Sequence, residues 1–330
     1  MAVRRRLLAR AFATHAAIAA GAANSHAGQT APAPDLLANR LSSPAPAQPG
    51  WIVAVDNWQT LEGGASLARI KQRTTGIYGG GELDAGAGWR LGGALGATRS
   101  RVRVRVDAAD ARLDVDSYTA GVYGKRSFSA GRGKLNLLTA ASYSWHDVST
   151  RRHFEMPGIP RQTLTADFSA YTAQVFSELG YELALSESAA LEPFAGIAIR
   201  NVRTRAFGES GGSTALSADA SRIRQTTTTL GLRGQTGFTL GPTAGRLHAT
   251  VGWRRAFGDV QPETTVVLDG GSVLTVAGAP ISRSAALAGA GLEVAVSRSA
   301  VVGLAYGGQY GGGNREHTGS LSLRWAFGSL

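Results

Sequence analysis

The chain has no cysteine. Disulfide scaffolds, cysteine-based metal sites and cysteine nucleophiles are thereby excluded, and the lack suits a chain that crosses an oxidising compartment unfolded. No run of 18 apolar residues occurs, so the sequence offers no transmembrane helix. A phosphate-cradling G-x-x-x-x-G-K-[ST] loop is missing, and the histidines show no H-x-x-x-H metal spacing. No cofactor or metal is therefore expected.

What is present is positive charge: 34 Lys and Arg against 23 Asp and Glu, a net +11. Such a surplus can indicate nucleic acid. Here, however, the arginines are scattered one or two per segment rather than clustered, so no nucleic-acid partner is expected. Glycine is 44 of 330 residues, about twice its average usage. Overall hydropathy is near neutral. A barrel with one lipid face and one wet face averages to that value, and so does a large soluble β-protein.

Residues 1–27 carry a basic start (Arg4, Arg5, Arg6, Arg10), an alanine-rich stretch from Ala11 to Ala23, and Ser25-His26-Ala27 before Gly28. That is the layout of a secretory signal peptide. Residues 28–50 hold Pro32, Pro34, Pro44, Pro46 and Pro49, which forbid a long helix or a central strand. Within them only Asp35–Leu41 has room for two helical turns. The segment is a linker, too short to be a functional domain.

From Trp51 the texture is uniform to the end. Period-two alternation predicts strands at about 51–58, 74–84, 88–100, 112–126, 133–146, 165–182, 189–201, 221–238, 244–257, 283–297, 300–310 and 316–327. The connections alternate long and short, apart from the last, with Gly and Pro in the short ones, as at Ala85-Gly86-Ala87 and Gly241-Pro242. A soluble Greek-key sandwich has no reason to alternate in this way. An up-and-down transmembrane barrel does, because its turns are tight on one side and its loops longer on the other. The fold class expected is therefore all-β: an up-and-down antiparallel barrel of twelve strands, with residues 51–330 as the barrel domain. Aromatic residues near strand ends (Trp58, Tyr78, Trp89, Tyr123, Trp145, Tyr181, Trp253, Tyr306, Trp325) fit interfacial girdles.

The last strand is the keystone. Leu321, Leu323, Trp325 and Phe327 alternate with Ser320, Ser322, Arg324 and Ala326. A last strand that pairs with the first, Trp51–Trp58, leaves no open edge in lipid. In the third hairpin, Arg101, Arg103 and Arg105 alternate with valines, and Asp110, Arg112, Asp114 and Asp116 with Ala111, Leu113 and Val115. A turn at residues 107–110 sets Arg103 opposite Asp114 and Arg101 opposite Asp116, with Arg105 against Arg112 as a like-charge pair. Those four paired residues line either a charged lumen or rim, or a solvated sheet face.

Catalytic signals are weak. Gly208-Glu209-Ser210-Gly211-Gly212 matches G-x-S-x-G, but no buried strand precedes it and no helix follows, so Ser210 belongs to a loop. His146 and Asp147, with His153 nearby, are a candidate general-base pair at a barrel mouth, and Asp259 and Glu263 candidate acids opposite by position only. They carry the alternative function, an omptin-like outer-membrane protease. A soluble β-protein is the third reading.

Taken in order, several stretches resemble the C-terminal translocator barrel of bacterial autotransporters. They are SYSWHDVSTRRHF (142–154), AQVFSELGYEL (173–183), LEPFAGIAIR (191–200), FGESGGSTALSADA (207–220), TTTLGLRG (227–234), GWRRAFGDV (252–260), VAGAPISRSAALAGAGLEV (276–294) and the aromatic closing strand. The resemblance implies a non-enzymatic, monomeric outer-membrane pore that exports or anchors its N-terminal segment, with the 35–41 linker helix in the pore. It implies outer-membrane lipid, lipopolysaccharide, the outer-membrane assembly machinery and periplasmic chaperones as partners. By alternation Gln174, Glu178 and Gly180 face the lumen, while Leu179 and Tyr181 face lipid. Gly319, Leu321, Leu323, Trp325 and Phe327 become the assembly signal. Two departures stand out: residues 28–50 leave little room for a passenger, and Gly328-Ser329-Leu330 follow the terminal aromatic.

Overall fold

The computed structural model describes residues 49–62, 69–106, 109–156, 159–260, 263–268, 273–277 and 282–326. The signal peptide, the linker with its 35–41 helix, Phe327 and the 328–330 tail lie outside them.

Sixteen strands occur among these residues: β1 (Pro49–Leu61), β2 (Arg69–Asp84), β3 (Trp89–Val106), β4 (Ala109–Ala130), β5 (Gly133–Met156), β6 (Ile159–Ala184), β7 (Ala189–Thr204), β8 (Phe207–Gly208), β9 (Leu216–Ala218), β10 (Ser221–Leu240), β11 (Thr243–Gly258), β12 (Glu263–Leu268), β13 (Val273–Ala277), β14 (Ser284–Ala295), β15 (Ala300–Gly311) and β16 (Asn314–Ala326). Twelve of them close a barrel in sequence order, and β16 returns to β1. The other four form a small sheet, β13-β12-β9-β8, within the connections at one end. The closing ladder runs from Pro49 opposite Ala326 to Leu61 opposite Asn314 without a break. Every barrel strand thus has two neighbours, which satisfies its backbone groups without water.

The twelve expected strands are present, but several run further than the alternation suggested. The connections expected at 101–111 and 147–164 shrink to 107–108 and 157–158, because β3 to β6 continue as paired strands. Only the connections after β7 and after β11 stay long, and they hold the small sheet. The opposite end has tight turns, such as the one from Ala85 to Gly88. There Gly86 and Gly88 take positive φ (79° and 77°), and Asp84 accepts the Gly86 N–H at 2.8 Å.

The two faces of the wall exchange chemistry along the barrel. Near the tight-turn end and through the middle, the outward face is apolar, with Leu95, Val122, Val175, Ile199, Leu230, Val251, Leu304 and Leu321 all exposed. Towards the long-loop end the outward positions become charged while the strands keep their parity. On β4, Tyr118 and Val122 point out and Ser117 and Thr119 in; then Asp116, Asp114 and Arg112 point out, and Val115, Leu113 and Ala111 point in. β3 changes between Ala97 and Arg99, and β5 between Trp145 and Asp147. The inward apolar residues beyond this level form a cluster of Leu61, Ile70, Val102, Val104, Ala111, Leu113, Val115, Val148 and Phe168. Phe207 of β8 packs on it, stacked on Phe168 with ring centroids 4.1 Å apart.

This exchange corrects the reading of the third hairpin. Arg101, Arg103 and Asp114 are exposed on the outer face and Asp116 is half-buried there, so none lines the lumen. The register is also displaced by two residues: Arg99 faces Asp116, Arg101 faces Asp114, Arg103 faces Arg112 and Arg105 faces Asp110. The two-residue connection forces this pairing, since Val106 already meets Ala109. Tyr78 and Tyr123 leave the expected girdle as well. They are 3% and 6% exposed and point inwards, whereas Trp58, Trp145, Trp253 and Tyr306 point out.

Candidate functional site: the barrel lumen

Alternation aims every second residue of each strand into the lumen. Through the middle of the barrel the inward positions carry hydroxyls, amides and charges beside an apolar cluster of Trp51, Val53, Tyr78, Tyr123, Leu138 and Phe176. Gln174, Glu178 and Gly180 of β6 lie there, while Leu179 is 48% exposed on the outside.

Several lumenal charges are paired across strands, whereas Arg200 and Arg254, also inward, have no ion pair among the described residues. Arg233 of β10 donates from Nη2 to Glu178 Oε1 at 3.0 Å and from Nη1 to Glu192 Oε2 of β7 at 2.8 Å. Glu192 also accepts from Asn136 Nδ2 of β5 at 3.0 Å, and the Arg233 guanidinium lies 4.5 Å over the Phe194 ring. One planar cation so ties three strands of the wall, and Asn136 adds a fourth through Glu192. A fork of donors suits that task, whereas an ammonium would act as a single point charge.

A second network lies near the tight-turn end. Lys125 donates to Glu82 Oε1 at 2.8 Å, the Tyr123 hydroxyl donates to the same oxygen at 3.0 Å, and Trp51 Nε1 donates to the Tyr123 hydroxyl at 2.9 Å. The inward rings of Trp51 and Tyr123 lie flat on the wall because the strand beneath them is glycine. A Cβ added at Gly80 would collide with Trp51, and one at Gly92 with Tyr123. Arg324 and Glu293 make a third pair at 3.5 Å, and Asn57 Nδ2 reaches Glu316 and Thr318, both at 2.8 Å.

His146 is not half of a catalytic pair. It is 1% exposed, and its ring nitrogens bond to the hydroxyls of Ser117 at 2.7 Å and Thr172 at 3.0 Å. Asp147, the next residue in an extended strand, points to the outer face and is exposed. His153 is half-buried beside Thr163, and Asp259 accepts the backbone N–H of Arg224 at 2.8 Å. Ser210 is pinned by its backbone to Thr165 of β6 in both directions, with no helix after it. The side chain of Glu263 lies outside the described residues.

At the long-loop end, Arg152 of β5 and Glu209 of the β8–β9 turn form an ion pair, each side chain 1% exposed. Sequence reasoning passed over this pair and the Arg233 fork. Inward charges were detectable only as polar residues on the parity opposite Leu179, Ile199 and Leu230. Of the closing strand's proposed signal, Leu321 and Leu323 are exposed outwards, Trp325 is half-buried, and Gly319 lies opposite Asp56 of β1.

A closed wall with cross-strand ion pairs and an apolar cluster inside, faced outside with exposed aliphatic residues, suits a lipid layer. Comparison with known proteins agrees. The family model of the autotransporter beta-domain matches residues 50–307. The extracellular serine protease of Serratia marcescens is 30% identical over 278 residues, which are 84% of this chain and 26% of that protein. The chain thus spans about a quarter of the length of the curated relatives it matches. Among solved structures, the translocator domain of autotransporter NalP from Neisseria meningitidis superposes with a TM-score of 0.69 at 18% identity, covering 94% of this chain and 99% of that one. The beta domain of the Bordetella autotransporter BrkA gives 0.60 at 16% identity, over 85% of this chain and 100% of that one. These two likenesses concern the fold. With the family match over most of its length, the chain belongs to the autotransporter beta-domain family.

Proposed function

We propose that this barrel works in the bacterial outer membrane as the translocator of its own N-terminal segment, with the long-loop end outside and the tight turns in the periplasm. The level at which β3, β4 and β5 exchange an apolar for a charged outer face carries this reading, because it marks where lipid contact ends. Residues 1–27 act as the signal peptide and 28–50 as the linker that enters the pore. Assembly machinery and periplasmic chaperones bring the unfolded chain to the membrane, reading the closing strand from Gly319 to Phe327, and the barrel is a monomer.

The mechanism is physical. Aliphatic side chains contact acyl chains, and the closed ladder satisfies the backbone. The lumenal polar groups, including ion pairs such as Arg233 with Glu178 and Glu192, present hydrogen-bonding partners to a passing chain. An epitope tag at Gln29, probed on intact cells, tests the reading. Surface labelling is expected. A barrel that migrates differently before and after boiling, yet never exposes the tag, would count against translocation.

A further inference from the structure

The outer face of β2–β5 carries a line of four cations that no single strand reveals. Lys71 pairs with Arg103, Arg103 with Arg112, and Arg112 with Arg151, so the four side chains stand side by side across four strands. All four are exposed on the outside. Cations in the neighbouring rows have acidic partners: Arg73 with Asp56 at 2.7 Å, Arg99 with Asp116 at 2.6 Å and Arg101 with Asp114 at 3.7 Å. None of the four in the line has an ion pair among the described residues. Like charges directly opposite one another destabilise a sheet, and here the arrangement repeats at each of three strand junctions. A polyanion laid along the line would reverse the sign of that energy.

The position relative to lipid selects the anion. Ile77, Ala97, Tyr118 and Trp145 begin the outward apolar band, each six residues along its strand from the cation above it. At about 3.4 Å per residue and a tilt near 40°, the line stands roughly 15 Å beyond the lipid boundary. The headgroup zone of an ordinary phospholipid bilayer extends only about 5–8 Å past its hydrocarbon. We propose that the line Lys71–Arg103–Arg112–Arg151 binds the phosphorylated saccharide headgroup of an outer-leaflet glycolipid, whose acyl chains lie against the apolar band below. The inference rests on the outer-membrane placement proposed above.

The test uses the full chain, folded in detergent and analysed by native mass spectrometry. The probe is a lipopolysaccharide with a phosphorylated inner core, compared with the same glycolipid after phosphate removal and with phosphatidylglycerol. Wild type is expected to retain the phosphorylated glycolipid more than tenfold better than either comparison lipid. The variant carrying Lys71→Gln, Arg103→Gln, Arg112→Gln and Arg151→Gln is expected to lose that preference. Arg112→Gln with Arg151→Gln serves as a milder second variant, and Arg73→Gln as a control that keeps the preference. Equal retention by the variants, or equal retention of the dephosphorylated glycolipid or phosphatidylglycerol, overturns the proposal. Heat-modifiable migration is recorded on every sample. Its absence in wild type would overturn the barrel reading and the glycolipid site with it, whereas its presence beside unselective binding overturns the glycolipid site alone.

Discussion

Arg152, on the inner face of β5, holds Glu209 in a two-pronged ion pair inside the long-loop end of the barrel. Arg152 Nε donates to Glu209 Oε1 at 3.0 Å, and Nη2 reaches both Glu209 Oε2 and the Thr214 carbonyl. Glu209 in turn accepts the Leu216 N–H at 3.1 Å. The pair thus fastens the β8–β9 turn to the wall, beside the stacked rings of Phe168 and Phe207. Glu209→Gln leaves a buried guanidinium without its counter-charge, a loss of about 3–5 kcal/mol for such pairs. Trypsin cleavage at the exposed Arg205 of the folded protein should then quicken by at least tenfold, while the barrel stays heat-modifiable. An unchanged cleavage rate would show that the turn is held by other contacts.

Arg233 separates two buried carboxylates, Glu178 and Glu192. Arg233→Ala removes the cation that reaches both, and the urea midpoint of the detergent-folded barrel should fall, by an amount on the order of 3 kcal/mol in stability. Arg233→Lys should recover only part of the loss, because an ammonium lacks the fork that reaches Glu178 and Glu192 together. Full recovery by lysine would mean that charge alone matters there.

Gly92 gives the Tyr123 ring its seat on the wall. Gly92→Val should slow folding into detergent micelles and lower the midpoint of thermal unfolding by several degrees, through overpacking of about 1–3 kcal/mol. Adding Tyr123→Ala to that variant should restore the folding rate by removing the collision. A double variant as slow as Gly92→Val would place the fault in the β3 backbone instead.

How much of this was legible in the sequence follows from what alternation can encode. Period two gave the strands and their order, because each must separate two environments, and it paired β16 with β1 because an open edge in lipid is costly. It could not say which face points in. On β4 the apolar residues sit at 111, 113 and 115 and then at 118 and 122, a change of phase within one unbroken strand. Taken locally, that change resembles a turn or a new strand. Physically it fits the membrane boundary proposed above: beyond it the outer positions are charged and packed apolar residues lie inside. Arg101, Arg103, Asp114 and Asp116 were misplaced for this reason. The line from Lys71 to Arg151 was hidden for another, since its members lie 32, 9 and 39 positions apart and meet only through register.

Closure of β1 on β16 is the relationship on which barrel, lumen and translocation all depend, and the cysteine-free chain allows a direct test. Val55 stands opposite Ser320, both on the inner face, whereas Leu323 points outwards. In the protein carrying Val55→Cys and Ser320→Cys, mild oxidation of the folded membrane form should produce an intramolecular disulfide in most molecules, seen as a mobility change after boiling that reductant reverses. The Val55→Cys, Leu323→Cys protein should stay unlinked. Absence of the first cross-link, or equal formation of both, would contradict a barrel closed in this register.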